Sequence, residues 1–371
     1  MRIDIATLFT GMCDSVLNES IVGRGIKNGF IEVHTHDIRE YTENRHRRVD
    51  DKPYGGGTGM VMQAQPIFDC ISAIKSQREG KPRIIYMSPQ GEVLTQQKVR
   101  ELAEEPWLIL LCGHYEGVDQ RVLDELECEE LSVGNYVLTG GELPALIVAD
   151  AVARLQPGVL PNEDAYSIES HYNGLLEFPQ FTRPEEWRGR RVPEVLLTGD
   201  HRTVTGWQDR EALRVTRKKR PDMYEAYIDK AIGEFWQQFI KEKKPEENIR
   251  SVAKTNIGKD PATSEKLIKL IRRGKKRARV YRSDGMELPK RGTYIIIADW
   301  DGIPRCVIKT IRSQIIRFNE ITLEQVLKMG EDDNIEDWLA RHREFFRTIG
   351  GDFSEDMPII YEEFRLEYKG K

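Results

Sequence analysis

Two short runs, Ile84-Ile85-Tyr86-Met87 and Leu108-Ile109-Leu110-Leu111, are apolar at every position instead of every second one. A strand with one face in water alternates, whereas a strand apolar throughout has both faces covered, as in a parallel sheet with helices on each side. The first 160 residues carry the rest of such a domain. Strands are predicted at Ile3–Phe9, Gly29–His34, Arg83–Met87, Trp107–Cys112 and Leu131–Leu138. Helices are predicted at Cys13–Ile21, Ala64–Ser76, Thr95–Ala103, Asp119–Leu126 and Glu142–Leu155. The fold class is α/β with a mainly parallel sheet.

At 371 residues the chain has room for two or three domains. The strand–helix alternation lapses in a polar stretch, Asn162-Glu163-Asp164-Ala165-Tyr166-Ser167, which reads as a linker. A small helical piece with Pro179, Pro184 and Pro193 follows to about Tyr227, and Glu234–Ile240 opens a further globular unit. In that unit Gly292–Ala298, Arg305–Ile311 and Tyr361–Tyr368 read as strands, and Ser264–Arg273 and Leu323–Lys328 as helices. The expected divisions are 1–160, 161–172, 173–228 and 229–371.

The longest apolar run, Trp107–Cys112, is far short of the ~20 residues that span a bilayer, so no membrane partner is expected. Asp4 stands where an export signal needs apolar residues. Five scattered cysteines without a C-x-x-C pair exclude a disulfide framework and a zinc site of the usual spacing. His34, His36 and His46 also lack ligand spacing, which leaves any metal unknown. The expected location is the cytoplasm. The net charge of -5 conceals segregation. Eleven bases and only three acids lie between Glu265 and Arg291, including Lys275, Lys276 and Arg277. Arg210, Arg214 and Arg217 fall at i, i+4 and i+7, on one helix face. Local sign decides where a phosphate backbone can lie.

Three glycine-rich segments mark the first domain: Gly55–Gly59, Gly113–Gly117 and Gly134–Gly141. The latter two follow or end predicted strands, and Ser88-Pro89-Gln90-Gly91 ends another. Open parallel sheets bind ligands beyond the carboxyl ends of their strands, where glycines let backbone approach closely. None of these segments is a phosphate loop of the G-x-x-x-x-G-K-[ST] kind or a G-x-G-x-x-G fingerprint. The charged run Arg45–Pro53 reads either as a solvated loop or as a lid over the first glycine loop. Arg154 ends an apolar helical stretch, where a cation complements the helix dipole.

Arg45–Met62, Leu111–Asp119, Ser132–Pro144 and Gly174–Pro184 together resemble the bacterial tRNA (guanine-N1)-methyltransferase family, and the resemblance runs from about Met1 to Tyr227. It implies a deep-trefoil-knot fold, an obligate homodimer, S-adenosyl-L-methionine as donor, and the guanine 3′ of the anticodon in tRNA as target. The resemblance places the cofactor against Tyr86, Met87, Ser88, Pro89, Gly113, Tyr115, Glu116, Val133, Gly134, Asn135, Tyr136, Val137, Leu138, Gly140, Gly141 and Pro144. Arg154 takes the family's cation position. Glu169 stands where members usually carry an aspartate base, and Asn135 and His114 stand where others can carry Asp and Arg. Arg183, His201, Arg210, Arg214 and Arg217 are the expected tRNA contacts, and a Mg2+ requirement is left open.

The segment from about Ile232 to Lys371 resembles a second family, the ASCH domains, on Glu234-Phe235-Trp236, Arg273–Ala278, Phe345-Phe346, Phe353–Pro358 and Tyr361–Leu366. This implies a small β-barrel-like α+β domain that binds RNA, with Lys275, Lys276 and Arg277 as contacts. Hydrolase members tend to carry a threonine after the G-x-K element, where this chain has Arg277 and Arg279, which favours binding over hydrolysis. The alternatives for the whole chain are a non-catalytic or retargeted RNA-binding protein, or an RNA 2′-O-ribose methyltransferase.

Overall fold

The computed structural model describes residues 1–160, 166, 168–244, 252–283, 287–348 and 352–370. All of Asn162–Ser167 except Tyr166 lies outside the described residues. The chain divides into two compact units, Met1–Asn173 and Gly174–Lys371. No described helix is long and apolar enough to cross a membrane.

The first unit is built on β1 (Arg2–Thr7), β2 (Glu32–Asp37), β3 (Arg83–Val93), β4 (Trp107–Cys112) and β5 (Glu129–Ser132), in the order β2-β1-β4-β3-β5. Every neighbouring pair is parallel. The side chains of β4 explain why its sequence is apolar throughout. Leu108, Leu110 and Cys112 enter a core with α1 (Thr10–Leu17), α2 (Ser20–Lys27), α4 (Gln96–Ala103) and α6 (Glu142–Ala153). Trp107, Ile109 and Leu111 enter the opposite core, with α3 (Ala64–Ser76) and α5 (Gln120–Glu125). At the far end of the sheet Asp4, fully buried, accepts from Arg2, His36 and Trp107 Nε1, so its charge has three partners.

Four local differences from the sequence reading have identifiable causes. The single helix expected over Cys13–Ile21 is two, because Asn18 caps the first and its Nδ2 donates to the Asp14 carbonyl. The strand expected at Gly29–His34 begins only at Glu32, after Gly29 turns with φ +74°. β3 continues past Met87, but its pairing with β5 jumps from Met87 to Glu92, so Ser88–Gly91 loops out of register. The strand expected to reach Leu138 stops at Ser132, where Gly134 takes φ +156° and the Ser132 hydroxyl bonds the Gly134 backbone.

The second unit begins with a small antiparallel hairpin, Glu186–Trp187 with Arg190–Arg191, and continues with α7 (His201–Lys219) and α8 (Pro221–Lys243). Glu234–Ile240 is therefore the middle of a helix and not the start of a unit, and the expected division at 228 falls inside that helix. A five-stranded mixed sheet follows, in the order β6-β8-β9-β10-β7. Its strands are β6 (Val252–Asn256), β7 (Ala278–Arg282), β8 (Tyr294–Ala298), β9 (Pro304–Arg317) and β10 (Pro358–Tyr368). Bulges between Val307 and Ile308 and between Thr310 and Arg312 curl the long β9. α9 (Pro261–Arg272), α10 (Leu323–Met329) and α11 (Ile335–Thr348) complete the unit. Phe318, Trp338, Phe346 and Tyr361 form one core, and Phe239 of α8 joins Tyr294 and Tyr368 in another.

Candidate active-site cleft and the basic faces

Beyond the carboxyl ends of β3, β4 and β5 the first unit carries a cleft of about 260 Å³. It is walled by Tyr86–Gln90, Gly113–Val118 and Leu131–Gly134 with Tyr136–Gly141. Every residue that the sequence reading placed against a cofactor lies on this wall except Asn135. His114, Thr139, Gln90 and Gln120 also line it. Gln90 and Thr139 sit inside glycine-bearing segments already singled out, one residue beyond the expected cofactor contacts at Pro89 and Leu138.

Glycine is required where the chain segments touch. A Cβ on Gly141 would lie 2.7 Å from the Cys112 Cα, and one on Gly113 would lie 2.8 Å from the Tyr86 hydroxyl. The Gly141 amide donates to the Gly113 carbonyl at 2.8 Å, tying the second glycine loop to the third. The first loop reaches the same edge, since the Glu116 amide donates to the Met60 carbonyl and Gly59 packs on the Glu116 side chain. His114 has a buried Nδ1 with no partner among the described residues. Tyr136, Val137 and Leu138 stand 55%, 82% and 39% exposed, a cost in apolar hydration that a ligand or second chain would relieve. Burial and Glu142 push the Cys13 thiol up to about 11, and burial pushes Cys112 well above its ordinary value, so neither is a nucleophile at neutral pH.

Arg154 caps α6, and its two terminal nitrogens donate to the two carboxylate oxygens of Glu169 at 2.6 and 2.8 Å. The hydrogen bond from Arg154 holds the Glu169 carboxyl below its ordinary value, against a smaller opposing effect of burial. The fold thus joins the predicted cation to the predicted carboxylate. Neither residue lines the cleft of the same chain.

Of the expected RNA contacts, Arg183, His201, Arg210, Arg214 and Arg217 are exposed in the second unit. His201 is the first residue of α7, and Arg214 is held by Glu211 at 2.6 Å. The Gly174–Pro184 segment packs on this helix. Phe178 and Phe181 meet Trp207, and the Leu176 amide donates to the buried Thr216 hydroxyl. Lys275 and Arg277 are exposed, but Lys276 between them is only 4% exposed and its ammonium pairs with Glu331. The expectation of three solvent-facing cations is corrected here. The chain is already extended as it enters β7, and the period of two turns Lys276 inward. Among the described residues no group of three or more His, Cys, Asp or Glu could hold a metal ion.

An open parallel sheet with a glycine-walled cleft at its carboxyl edge defines a ligand-binding α/β domain. A model of the family described as tRNA (Guanine-1)-methyltransferase TrmD matches residues 1–226, and one of the ASCH domain matches residues 254–368. The chain belongs to the tRNA (guanine-1)-methyltransferase family, and its C-terminal part carries an ASCH domain. Among similar curated proteins is the tRNA (guanine-N(1)-)-methyltransferase of Ruminiclostridium cellulolyticum, 53% identical over 224 residues, which are 60% of this chain and 96% of that protein. That of Lachnospira eligens is 49% identical over 235 residues, 63% of this chain and all of its own length. That of Alkaliphilus oremlandii is 46% identical over 249 residues, 66% of this chain and likewise all of its own.

Proposed function

We propose that the protein methylates N1 of the guanine 3′ to the anticodon in tRNA, with S-adenosyl-L-methionine as donor. The observation that carries the reading is the Arg154–Glu169 pair, a cation and a carboxylate held together in a cleft-bearing domain of this family. Guanine N1 bears a proton that must leave as the new bond forms, and the charge it leaves spreads to O6. Glu169 accepts that proton, and Arg154 then faces the developing charge on O6. The N1–H bond breaks, its proton ends on the Glu169 carboxylate, and N1 takes the methyl group. Because Arg154 occupies both carboxylate oxygens in the resting chain, the pair must separate before Glu169 can act.

The donor fits the cleft on one ground: His114 Nδ1 on its wall is buried and offers an unused hydrogen-bonding atom. When bound, S-adenosyl-L-methionine would supply an electrophilic methyl group, its sulfur keeping the pair of the carbon–sulfur bond so that the leaving group is the neutral thioether. Tyr86–Pro89, Tyr115, Glu116 and Val133–Leu138 would hold it. The close passage of Gly91 over the Glu130–Leu131 backbone and of Gly141 over Cys112 supports a knotted chain at this edge. A homodimer is supported by the separation of the Arg154–Glu169 pair from the cleft in one chain. Exposed Met12 and Val16 on α1, with Leu143 and Ile147 on α6, provide apolar surface for it. Arg183, His201, Arg210, Arg214 and Arg217 would hold tRNA phosphates, with Lys275 and Arg277 of the barrel-like ASCH domain adding backbone contacts. The cytoplasm, where tRNA is matured, is the proposed location.

Incubating the full chain with donor and unmodified tRNA, then analysing nucleosides, tests the reading. N1-methylguanosine next to the anticodon is expected. A 2′-O-methyl nucleoside, or no product from a protein that binds the donor, would overturn it. Running the assay with and without Mg2+ settles the divalent-ion requirement, and light scattering measures the dimer.

A further inference from the structure

The turn between β8 and β9 belongs to the ASCH match, yet it is seated on α8 just beyond the corner where α7 ends, well before that match begins at 254. The Tyr224 hydroxyl donates to the Asp301 carbonyl. Ile228, one helical turn further on, is 4% exposed, and a Cβ on Gly302 would stand 3.5 Å from its side chain. The turn is closed by its own hydrogen bonds. One Asp299 carboxylate oxygen accepts from the Asp301 and Ile303 amides at 3.0 Å each, and the other accepts from Arg305 at 2.7 Å. A carbonyl presented on such a turn is a fixed point for the hydroxyl that meets it.

Three arginines surround the corner. Arg214 is paired with Glu211 and Arg220 with Asp222. Arg217 is exposed and forms no ion pair with a carboxylate among the described residues, and its guanidinium carbon lies 5.8 Å from the centre of the Tyr224 ring. A cation over a ring keeps its hydrogen-bond donors free, whereas a carboxylate partner occupies them. The turn also draws Arg217 by charge. Burial and the neighbouring Asp299 hold the Asp301 carboxyl above its ordinary value, and Arg217 is close enough to oppose them. An arginine already held in place gives up less rotamer freedom when it takes a phosphate.

We propose that Tyr224 is a positioning residue for tRNA: anchored by the ASCH turn, it holds Arg217 over its ring, so that the ASCH domain strengthens the methyltransferase part's grip on a phosphate without itself touching the RNA there. This rests on the tRNA reading above and adds to it a residue, Tyr224, that has no part in it.

The test compares the full chain with Arg217→Ala, Tyr224→Ala, Tyr224→Phe and the Arg217→Ala, Tyr224→Ala double variant. Filter binding to unmodified tRNA is measured over a range of salt, and circular dichroism confirms each fold. Arg217→Ala should weaken binding about fivefold and lower the salt slope by roughly 0.7–0.9, one phosphate contact. Tyr224→Ala removes no charge, yet it should reproduce most of both losses. Tyr224→Phe keeps the ring without its anchor and should show about half the loss in affinity, and the double variant should bind no more weakly than Arg217→Ala. A merely structural Tyr224 would lower Tm and leave the salt slope alone. Additive losses in the double variant, an unchanged slope in Tyr224→Ala, or wild-type affinity in Tyr224→Phe overturns the proposal, the last because the ring then needs no anchor on the ASCH turn. A wild-type chain that binds no tRNA overturns it as well. Binding is read without methyl transfer, so a chain that shows the expected pattern but forms no N1-methylguanosine overturns the methylation reading alone.

Discussion

The guanidinium carbon of Arg100 lies 3.7 Å from the centre of the Tyr172 ring, and the same group donates to the Tyr172 carbonyl. The Tyr172 amide in turn donates to the Glu169 carbonyl at 3.2 Å, so α4 holds the turn that presents Glu169. Arg100 is a positioning residue for the proposed base. A cation over a ring contributes about 0.5–2 kcal/mol, so Arg100→Ala should lower the single-turnover rate about tenfold. Donor affinity by calorimetry should be unchanged, and Arg100→Lys should recover part of the loss. An unaltered rate in Arg100→Ala would remove the role.

Glu169→Gln should keep donor binding and lower turnover by about 10²- to 10⁴-fold, since an amide cannot take the guanine proton. Glu169→Asp keeps the chemistry and should retain activity. The carboxyl is already held below its ordinary 4.5 by Arg154, so its acid limb in a rate–pH profile should lie under that value. A Glu169→Gln enzyme near wild-type rate would move the base elsewhere, with Glu116 next to be tested.

At Gly134 a side chain would collide with the Tyr136 ring on the cleft wall, and its φ of +156° suits glycine. Gly134→Val should abolish donor binding while leaving the chain folded, because the strain is confined to a loop. Titration calorimetry on the folded variant checks this, and wild-type affinity would contradict the placement of the donor.

The second unit should lose stability in acid in two stages. Burial brings His342 down to about 4 from 6.5, so the unfolded chain takes up that proton first and stability falls as pH drops from 6.5 towards 4. Burial tends to raise Glu331, but Lys276 and Arg341 outweigh it and bring it to about 2 from 4.5, so a second loss runs from 4.5 downward. Each is worth on the order of 3 kcal/mol. Thermal melts across pH would measure both stages, and His342→Gln should erase the upper one alone.

Charge reversal separates the neighbours Lys275, Lys276 and Arg277. Lys275→Glu with Arg277→Glu should weaken tRNA binding and flatten its salt slope by roughly 0.7–0.9 for each phosphate no longer neutralised, without a change in Tm. Lys276→Glu should instead cost about 3–5 kcal/mol of stability by setting a second buried carboxylate against Glu331, with Arg341 left as the partner of both. Filter binding against salt, with melts alongside, would distinguish the two.

The unbroken apolar runs of Ile84–Met87 and Leu108–Leu111 were enough to place a parallel sheet, since only double-sided burial tolerates them. The helix Ala64–Ser76 and the strand Trp107–Cys112 match the sequence reading to the residue for the same reason. The cleft was legible because glycines are concentrated where chain segments cross. Among the features that escaped, alongside β6 and α11, three show the cause. The out-of-register loop at Ser88–Gly91 depends on a partner strand about forty residues away, the inward turn of Lys276 on Glu331, and β7 on pairing with β10. Long-range partners, not local pattern, decide all three.

The helix α8 runs without interruption from Pro221 to Lys243, through the end of the methyltransferase match at 226 and towards the ASCH match at 254. Tyr224 is bonded to the Asp301 carbonyl, Ile228 packs beside Gly302, and Phe239 is wholly enclosed in the ASCH core. The join between the two families is therefore a rod and not a tether. Anyone grafting this ASCH module onto another enzyme, or deleting it from this one, must move the whole rod, because a module that begins only where its family match begins would lack its own core residue.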